Sequence, residues 1–341
     1  MRIALDATYS LGDELSGIGV YSREILTGLA ALPRDVEWEW FYRSQRYMRA
    51  RSLPRPANVR RRFLADSFGS RSADLFHGLN QRLPQKRFRL QVATFHDLFV
   101  LSGDYSTREF RERFAAQARE AAARADLIVA VSAFTASQLE SYLGVPRSRV
   151  RVVHHGVIPR AVPDLPREKM VLCVGAIQRR KNQARLIRAF RAMPADWTLL
   201  LAGSQGFEAS EALRAAANSA AASRIHFTGY LSDEQIGRLY ARASILAFPS
   251  LDEGFGIPVL EAMAAGLPVM AGNRSALPEI CGDAAMLVDP FSEDEMGSAL
   301  LNLANDASRR RELAAKGERQ AAGFRWEKAV TETMAVYREL F

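Results

Sequence analysis

The chain of 341 residues contains only two cysteines, Cys173 and Cys281. They match no metal-ligand spacing and are too few for a disulfide framework, so both are expected to be structural thiols. No stretch approaches the roughly 20 apolar residues of a membrane-spanning helix. The amino-terminal sequence MRIALDATYS also lacks the charged-then-apolar layout of a signal peptide. These absences exclude a disulfide-rich secreted scaffold and an integral membrane protein, and they predict a cytoplasmic location.

Positive charge is concentrated in the first half of the chain. Residues 1–165 hold 25 Lys and Arg against 17 Asp and Glu, whereas residues 166–341 hold 21 of each. Much of the excess lies in one arginine-rich stretch with interleaved aromatic residues: Arg43, Arg46, Arg49, Arg51, Arg55, Arg60, Arg61 and Arg62, with Tyr42, Tyr47 and Phe63. No nucleic-acid-binding motif accompanies it, so nucleic acid is not expected as a partner. An anionic lipid or lipid pyrophosphate fits better, and a solvated face without a partner stays open.

Strand-like and helix-like stretches alternate along the chain, which predicts an α/β fold with parallel, doubly wound sheets. Strands are predicted at 2–8, 36–42, 58–64, 91–96, 127–132, 150–155, 170–175, 197–202, 225–228, 244–249, 268–271 and 286–288. Helices are predicted near 18–32, 106–125, 133–143, 183–193, 233–242, 257–265 and 293–305, with a helical carboxyl terminus at 308–340 and a helical alanine-rich run at 215–222. Prolines at 159, 163 and 166 suggest a hinge. The length suits two domains, 1–162 and 163–322, followed by a helix at 323–341.

The most informative segment reads PSLDEGFGIPVLE, from Pro249 to Glu261. An apolar run before it and helical spacing after it place Glu253 in a strand-to-helix loop and Glu261 inside the helix. Eight residues of helix rise about 12 Å, whereas paired hydrolytic carboxylates lie about 5 to 9.5 Å apart. The spacing therefore disfavours a glycosidase pair. Two separate carboxylates suit the diols of a nucleotide sugar, although surface glutamates on an ordinary strand–loop–helix unit would look the same.

The flanking residues decide between these interpretations. From Thr228 to Pro290 the chain reads TGYLSDEQIGRLYARASILAFPSLDEGFGIPVLEAMAAGLPVMAGNRSALPEICGDAAMLVDP. This segment resembles the retaining glycosyltransferases of family 4, and most nearly the bacterial mannosyltransferases of O-antigen and exopolysaccharide assembly. The resemblance implies the GT-B architecture, in which two Rossmann-like domains face a central cleft and the last helix crosses back to the first domain. It also implies that Glu253, Gly254, Phe255, Gly256, Ile257 and Glu261 bind the nucleotide-sugar donor.

The resemblance carries over to two glycine-containing loops. In VGAIQRRKN, Gly175 lies at the loop start, and Lys181 and Arg180 would bring positive charge to the leaving diphosphate. Relatives usually have an arginine directly after the glycine, where this chain has Ala176, so Arg180 is assigned the missing charge. In SGIGVYSREIL, Gly17 and Gly19 open a helix beside the donor diphosphate and the acceptor.

A third element of the resemblance is TFHDL, at the end of the predicted strand QVATF. Here the resemblance implies that His96 bonds a sugar hydroxyl and helps align the nucleophile, with Asp97 able to orient its imidazole. A hydrogen-bonded structural histidine is the alternative. His154 and His155 are assigned no catalytic role.

The chain has no Asp-x-Asp motif, by which the other main glycosyltransferase fold holds a metal, so no metal and no cofactor beyond the donor is expected. The resemblance implies a retaining hexosyltransferase, and we expect attack on the face from which the diphosphate leaves. The expected donor is GDP-mannose and the expected acceptor an anionic, lipid-linked or growing glycan, with possible peripheral contact of the basic first domain with an anionic membrane. Two alternatives stay open: a UDP-sugar transferase or synthase with a small soluble acceptor, and a non-catalytic nucleotide-sugar sensor or scaffold.

Overall fold

The computed structural model describes residues 1–12, 15–32, 36–65, 73–158 and 165–341. The chain forms two compact units. The first comprises Met1–Leu101, Arg108–Gly156 and Arg325–Phe341, and the second comprises Ser102–Thr107 and Val157–Phe324. The predicted boundary at 162/163 and the prolines at 159 and 163 lie outside the described residues, so the boundary and the hinge stay predictions.

The first unit is built on a seven-stranded parallel sheet with strand order β3-β2-β1-β4-β5-β6-β7. Its strands are β1 Arg2–Asp6, β2 Glu37–Tyr42, β3 Val59–Phe63, β4 Leu75–Gly78, β5 Leu90–Phe95, β6 Leu127–Ala130 and β7 Val150–Val152. Its first helices are α1 Gly17–Ala31, α2 Ser44–Arg51, α3 Phe99–Ser102, α4 Arg108–Arg124 and α5 Ala133–Leu143. Helices on both faces bury the central strands, so strands such as β6 (LIVA) are continuously apolar. The strand order reverses between β1 and β4, which makes a switch point at their carboxyl ends.

The second unit repeats this design with a six-stranded parallel sheet, ordered β10-β9-β8-β11-β12-β13. Its strands are β8 Met170–Val174, β9 Thr198–Ala202, β10 Ile225–Gly229, β11 Ile245–Phe248, β12 Val269–Gly272 and β13 Ala285–Val288. Its helices are α6 Gln183–Ala189, α7 Ala209–Ala217, α8 Asp233–Arg242, α9 Ile257–Ala264, α10 Leu277–Cys281, α11 Glu293–Asn305 and α12 Ala307–Ala322. The order reverses between β8 and β11. Two Rossmann-like doubly wound units confirm the predicted fold class.

The last helix, α13 (Trp326–Arg338), belongs to the first unit and packs into its core. Two glycines allow close approach of its backbone and side chains. A Cβ at Gly28 of α1 would lie 2.4 Å from Val330 Cγ2, and one at Gly156 would lie 2.3 Å from the backbone nitrogen of Trp326. Side chains at either position would push α13 off the core.

Several elements differ from the sequence prediction, among them the short helices α3 and α10, which were not predicted. Strand β4 was not predicted, because its sequence (LFHG) includes a histidine and a glycine and lacks the continuous apolar run of strands such as β6. Helix α2 forms within the arginine-rich stretch, where no regular amphipathic helix was expected, since eight residues with few apolar side chains give a weak pattern. Of the alanine-rich run at 215–222, the residues up to Ala217 lie in α7, and Ala222 begins a 3₁₀ turn. Both cysteines are buried, and burial raises the pKa of each thiol to about 12.

Candidate active site

The sequence-predicted residues of the second unit meet at its switch point. Strands β8 and β11 are neighbours in the sheet, so the loops that follow them lie side by side at the carboxyl edge. The first loop contains a 3₁₀ turn at Arg179–Lys181. The second contains Glu253 and ends at Gly256, the N-cap of α9. Ligands of doubly wound sheets bind at this position.

Glu253 forms an ion-pair cluster with two cations there. Lys181 Nζ donates a hydrogen bond of 2.5 Å to Glu253 Oε1, and the Arg180 guanidinium lies 3.3 Å from the same oxygen. Arg180 also donates to the carbonyl oxygen of Asp252 at 2.5 Å. Lys181 Nζ lies 4.7 Å from the ring centroid of Phe248, a cation–π distance. The side chains of Arg180, Lys181 and Glu253 are only 11%, 12% and 9% exposed, so solvent screens their interactions little.

Burial and charge act in opposite directions on this cluster. Burial alone would raise the pKa of the Glu253 carboxyl, but Lys181 and Arg180 together lower it below its ordinary value. Burial lowers the pKa of the Lys181 ammonium and Arg180 lowers it further, while Glu253 opposes both effects. Two cations against one carboxylate leave an excess of positive charge. This excess suits a ligand with more than one negative charge, such as a diphosphate.

Glu261 is held by a residue that the sequence analysis did not identify. Its Oε2 accepts a hydrogen bond of 3.0 Å from the hydroxyl of Tyr240, a fully buried residue on α8. At the start of α9, Gly256 has φ 114°, and a Cβ there would lie 3.0 Å from Leu277 Cδ2. In the first turn of α9, Pro258 has no N–H and those of Val259 and Leu260 donate to the Gly256 carbonyl oxygen, so the Ile257 N–H is the candidate donor to an anion.

The neighbouring predicted residues are placed by packing. Gly254 is buried, and the buried Phe255 side chain packs against Phe324 with ring centroids 5.9 Å apart. A ligand contact at Phe255 would therefore come from its backbone. Gly175 has φ 135°, and a Cβ there would lie 3.5 Å from Lys181 Cε. A Cβ at Gly203 would lie 2.1 Å from the Gly175 carbonyl oxygen, so two glycines allow the ends of β8 and β9 to approach.

In the first unit, His96 lies at the end of β5 and is almost fully buried. Its Nε2 lies 2.9 Å from the carbonyl oxygen of Leu79. A carbonyl only accepts, so Nε2 carries the proton and Nδ1 of the neutral ring is an acceptor. Burial lowers the pKa of His96 to about 4, although the Leu79 bond opposes this shift. The carbonyl oxygen of Leu79 therefore orients the His96 ring through Nε2, whereas the sequence predicted that Asp97 orients it.

Two aromatic rings pack against the His96 imidazole, and a third packs against one of these two. The His155 ring stacks on it with centroids 5.4 Å apart and an angle of 7°. The Tyr21 ring meets His96 edge-on at 4.7 Å and His155 at 4.9 Å. Trp326 of α13 contacts His155 at 5.8 Å. His155, which was assigned no catalytic role, thus packs directly against the predicted catalytic histidine.

Comparison with known proteins identifies the family of this chain. The family description "Glycosyl transferases group 1" matches residues 159–320, and "Glycosyltransferase Family 4" matches residues 15–160. The chain is 30% identical over 284 residues to the O-antigen chain mannosyltransferase B of Escherichia coli, covering 78% of this chain and 74% of that protein. The chain belongs to glycosyltransferase family 4. It is accordingly a glycosyltransferase, and members of this family use a nucleotide-sugar donor without a metal ion.

Other relatives and solved structures extend the comparison. The serotype-specific mannosyltransferase WbdA of Escherichia coli is 31% identical over 261 residues, which are 69% of this chain and only 32% of WbdA. The sucrose-phosphate synthase structure from Thermosynechococcus elongatus has a TM-score of 0.79 at 22% identity and covers 100% of this chain and 99% of that one. WaaG, a glycosyltransferase of lipopolysaccharide biosynthesis, has a TM-score of 0.68 at 16% identity and covers 98% of this chain and 99% of its own. At these identities the two structures establish the fold alone.

The two glycines at the start of α1, Gly17 and Gly19, differ in their surroundings. Ser16 caps the helix, and its Oγ accepts a hydrogen bond of 3.3 Å from the Gly19 N–H. A Cβ at Gly19 would lie 3.0 Å from both Leu15 Cδ2 and the Tyr9 carbonyl oxygen, so packing accounts for this glycine. Gly17 is exposed in the first turn. Of the two, Gly17 has the backbone that a ligand can approach.

Many arginines of the basic stretch have structural partners. The arginine-rich surface, residues 43–63, includes five that bind acidic groups or carbonyls of the unit itself: Arg43 with Asp6, Arg46 with Leu11, Arg55 with Val59, Arg61 with Leu53 and Pro54, and Arg62 with Glu39. Three apolar side chains of the same surface are exposed: Met48 by 64%, Leu53 by 41% and Phe63 by 44%. Within the described residues, no helix combines the length and apolar character needed to cross a membrane.

Sequence reasoning missed three residues of the second-unit site. Tyr240 and Gly203 had no local pattern to mark them. Asn182 was visible in the RKN tripeptide but was given no role. It has φ 62° and donates to the carbonyl oxygens of Pro249 at 3.0 Å and Pro290 at 2.6 Å. Asn182 thereby ties the basic loop to the loop that carries Glu253.

Proposed function

We propose that this enzyme transfers a mannosyl group from GDP-mannose, with retention of configuration, to a lipid-linked or growing bacterial glycan of the O-antigen or exopolysaccharide type. The names of the relatives support the sugar and the acceptor class, because both Escherichia coli proteins are mannosyltransferases and one is an O-antigen chain enzyme. The observation that carries the proposal is the buried cluster of Glu253 with Lys181 and Arg180 at the β8–β11 switch point.

The donor-binding roles follow from the charges of the second unit. Lys181 and Arg180 bind the β-phosphate and stabilise the charge that develops as the diphosphate leaves. Glu253 accepts hydrogen bonds from sugar hydroxyls, and Glu261 accepts them from the ribose diol. Backbone N–H groups between Gly254 and Ile257 add donors at the start of α9. Glu253 pairs with both cations, and the donor diphosphate competes with it for them.

The transfer step exchanges one bond for another at the anomeric carbon. The acceptor hydroxyl oxygen bonds to this carbon on the face from which the diphosphate departs, while the bond from carbon to the β-phosphate oxygen breaks. The acceptor proton passes to that departing oxygen, so a glycoside and GDP result. His96 Nδ1 accepts a hydrogen bond from a substrate hydroxyl and helps to align it, and Gly17 contributes backbone N–H groups beside the diphosphate. Because the His96 pKa is about 4, the ring is neutral and does not serve as an acid.

Thermal unfolding with added nucleotides tests the donor. GDP and GDP-mannose should raise the midpoint by mass action, and EDTA should leave the shift unchanged. A shift with UDP and its sugars instead would overturn the GDP-mannose assignment and support the alternative transferase. Donor binding without any turnover on a glycan acceptor would favour the sensor.

Matched variants test the site. Glu253→Gln should abolish transfer and keep the fold, since one buried carboxylate is neutralised without loss of volume. Glu293→Gln is the control, because Glu293 is an ion-paired glutamate of the same unit (Arg188, 2.5 Å) that is given no part in catalysis. Full activity in Glu253→Gln would remove the central assignment. The anomeric configuration of the isolated product, read by NMR coupling, tests retention separately.

Peripheral membrane contact is the remaining part of the proposal. The exposed Met48, Leu53 and Phe63 lie among arginines, an arrangement that combines apolar insertion with attraction to anionic lipid. Sedimentation with vesicles containing phosphatidylglycerol should retain the protein, whereas pure phosphatidylcholine should not. The double variant Met48→Ser, Phe63→Ser should lose retention with its unfolding midpoint little changed. Equal recovery of wild type and variant in the pellet would contradict this surface.

A further inference from the structure

Four buried side chains of the first unit form a continuous chain of hydrogen bonds that begins on α13. The Tyr337 hydroxyl lies 2.6 Å from His77 Nδ1, and His77 Nε2 lies 2.8 Å from Thr94 Oγ1. Thr94 Oγ1 in turn lies 2.9 Å from the Tyr21 hydroxyl. All four side chains are fully buried. We call this series, Tyr337–His77–Thr94–Tyr21, the polar chain.

The polar chain is electrically neutral. Burial lowers the pKa of His77 to about 3 and raises that of Tyr21 and Tyr337 above the ordinary value. A neutral imidazole has one donor and one acceptor nitrogen, and each hydroxyl of the chain has one proton to give. The direction in which one group donates its proton therefore fixes the direction of the next hydrogen bond in the polar chain. Loss of one hydroxyl leaves a buried polar atom unsatisfied, which is costly in an apolar core.

The polar chain ends against His96. Tyr21, its last member, places its ring edge-on against the His96 imidazole at 4.7 Å. Thr94 precedes His96 by two residues on β5, so both side chains point to the same face of the sheet.

A second route joins the same helix to the same histidine. Trp326 begins α13 and contacts His155 at 5.8 Å, and His155 stacks on His96 at 5.4 Å. Helix α13 therefore reaches His96 from both of its ends, once through hydrogen bonds that end at the Tyr21 ring and once through the His155 ring. Packing alone would not require a histidine and three hydroxyls in this core, since apolar side chains of similar shape would fill it without polar groups to satisfy.

We propose that α13 positions His96: Tyr337, acting through the polar chain, and Trp326, acting through His155, hold the imidazole so that Nδ1 faces a substrate hydroxyl. Tyr337 and Trp326 are positioning residues, because they act through other side chains and not on substrate. The proposal rests on the proposed role of His96. It adds that the rate of transfer depends on a hydroxyl of the last helix.

Steady-state kinetics with two matched variants of α13 tests the proposal. Tyr337→Phe removes one hydroxyl, and Val336→Ala removes two methyl groups from the neighbouring buried residue, which the polar chain does not include. Both should lower the unfolding midpoint by a few degrees. Tyr337→Phe should also lower kcat about three- to tenfold with donor KM within about twofold, whereas Val336→Ala should leave kcat unchanged. Equal kcat in the two variants would mean a structural role only and would overturn the proposal.

A double-mutant cycle with His96→Ala separates this proposal from the proposed function. If Tyr337 acts through His96, then Tyr337→Phe has no further effect on kcat in the His96→Ala background. Full turnover in His96→Ala alone would refute the role of His96 in the proposed function. A low kcat in His96→Ala together with wild-type kcat in Tyr337→Phe would refute only the positioning role. A full additional loss in the double variant would also refute it.

NMR of the imidazole groups gives a readout that does not depend on activity. The chain has five histidines, so ¹⁵N–¹H spectra of their side chains are simple to assign by substitution. Tyr337→Phe should shift the resonances of both His77 and His96, while Val336→Ala should leave His96 in place. A change confined to His77 would show that the polar chain ends there and would overturn the inference.

Discussion

Acidification should destabilise the first unit because three neutral histidines are buried together in it. Burial lowers the pKa of His77 to about 3 and that of His96 to about 4, and it holds the pKa of His155 well below its usual range. In the unfolded chain each imidazole has a pKa of about 6.5, so below this pH it binds a proton that it does not bind in the folded unit. Stability is therefore complete above about pH 6.5 and falls as the pH drops towards the folded-state values.

The size of the effect follows from these values. Each histidine contributes about 1.36 kcal/mol per pH unit below 6.5, so the loss at pH 5 is about 2 kcal/mol per histidine and up to about 6 kcal/mol for three. Urea unfolding between pH 8 and pH 5 measures it. Trp38, Trp40 and Trp326 lie in the first unit, so a Trp197→Phe background makes tryptophan fluorescence report on that unit alone.

A substitution assigns the pH dependence to its source. His155→Phe keeps an aromatic ring among Tyr21, His96 and Trp326 but cannot bind a proton. The difference in unfolding free energy between pH 8 and pH 5 should shrink by about 2 kcal/mol in this variant. A flat profile in the Trp197→Phe reference, or an equally steep one after His155→Phe, would refute the reasoning.

Three further predictions concern the second-unit site and the last helix. Glu253→Gln should bind GDP about threefold to tenfold more tightly than wild type in calorimetry, because the carboxylate no longer competes for the two cations. The control Glu293→Gln should bind GDP as wild type does. Weaker GDP binding by Glu253→Gln would contradict the proposal that Glu253 and the diphosphate compete for the cations. Tyr240→Phe should raise donor KM about threefold to tenfold through the lost bond to Glu261, and this effect should vanish in a Glu261→Ala background, which has no acceptor for the hydroxyl. Gly156→Ala should lower stability by about 2 kcal/mol or more, because its Cβ would lie 2.3 Å from a backbone nitrogen of α13; an unchanged midpoint would mean that the helix shifts freely.

The sequence predicted most of the fold because parallel strands buried on both faces leave continuous apolar runs. Strand β11 (ILAF) and helix α8, whose start has a capping box at Ser232 and Gln235, have strong local patterns. Strand β4 (LFHG) contains a histidine and a glycine where β11 is wholly apolar, and helix α2 is dominated by arginine, so neither shows a clear apolar pattern. Local pattern is informative only where the composition of an element reflects its burial.

The functional residues likewise divide into those that belong to a local sequence motif and those that do not. Glu253 and Lys181 were predicted because each belongs to a compact motif beside a glycine. Tyr337 and His77 are hydrogen-bonded although they lie 260 residues apart. No short pattern links them, and only the fold brings the last helix onto β4. The same reason explains why Leu79, and not the adjacent Asp97, was found at His96 Nε2.

The return of α13 to the first unit has a consequence for how the chain is made. Domains generally fold in the order in which they leave the ribosome. Here the core of the first unit includes Trp326, Val330, Met334 and Tyr337, so that unit stays incomplete while the whole second unit is translated. We expect the second unit to fold before the first is finished, and the newly made chain to expose the surface that α13 covers to chaperones until α13 emerges.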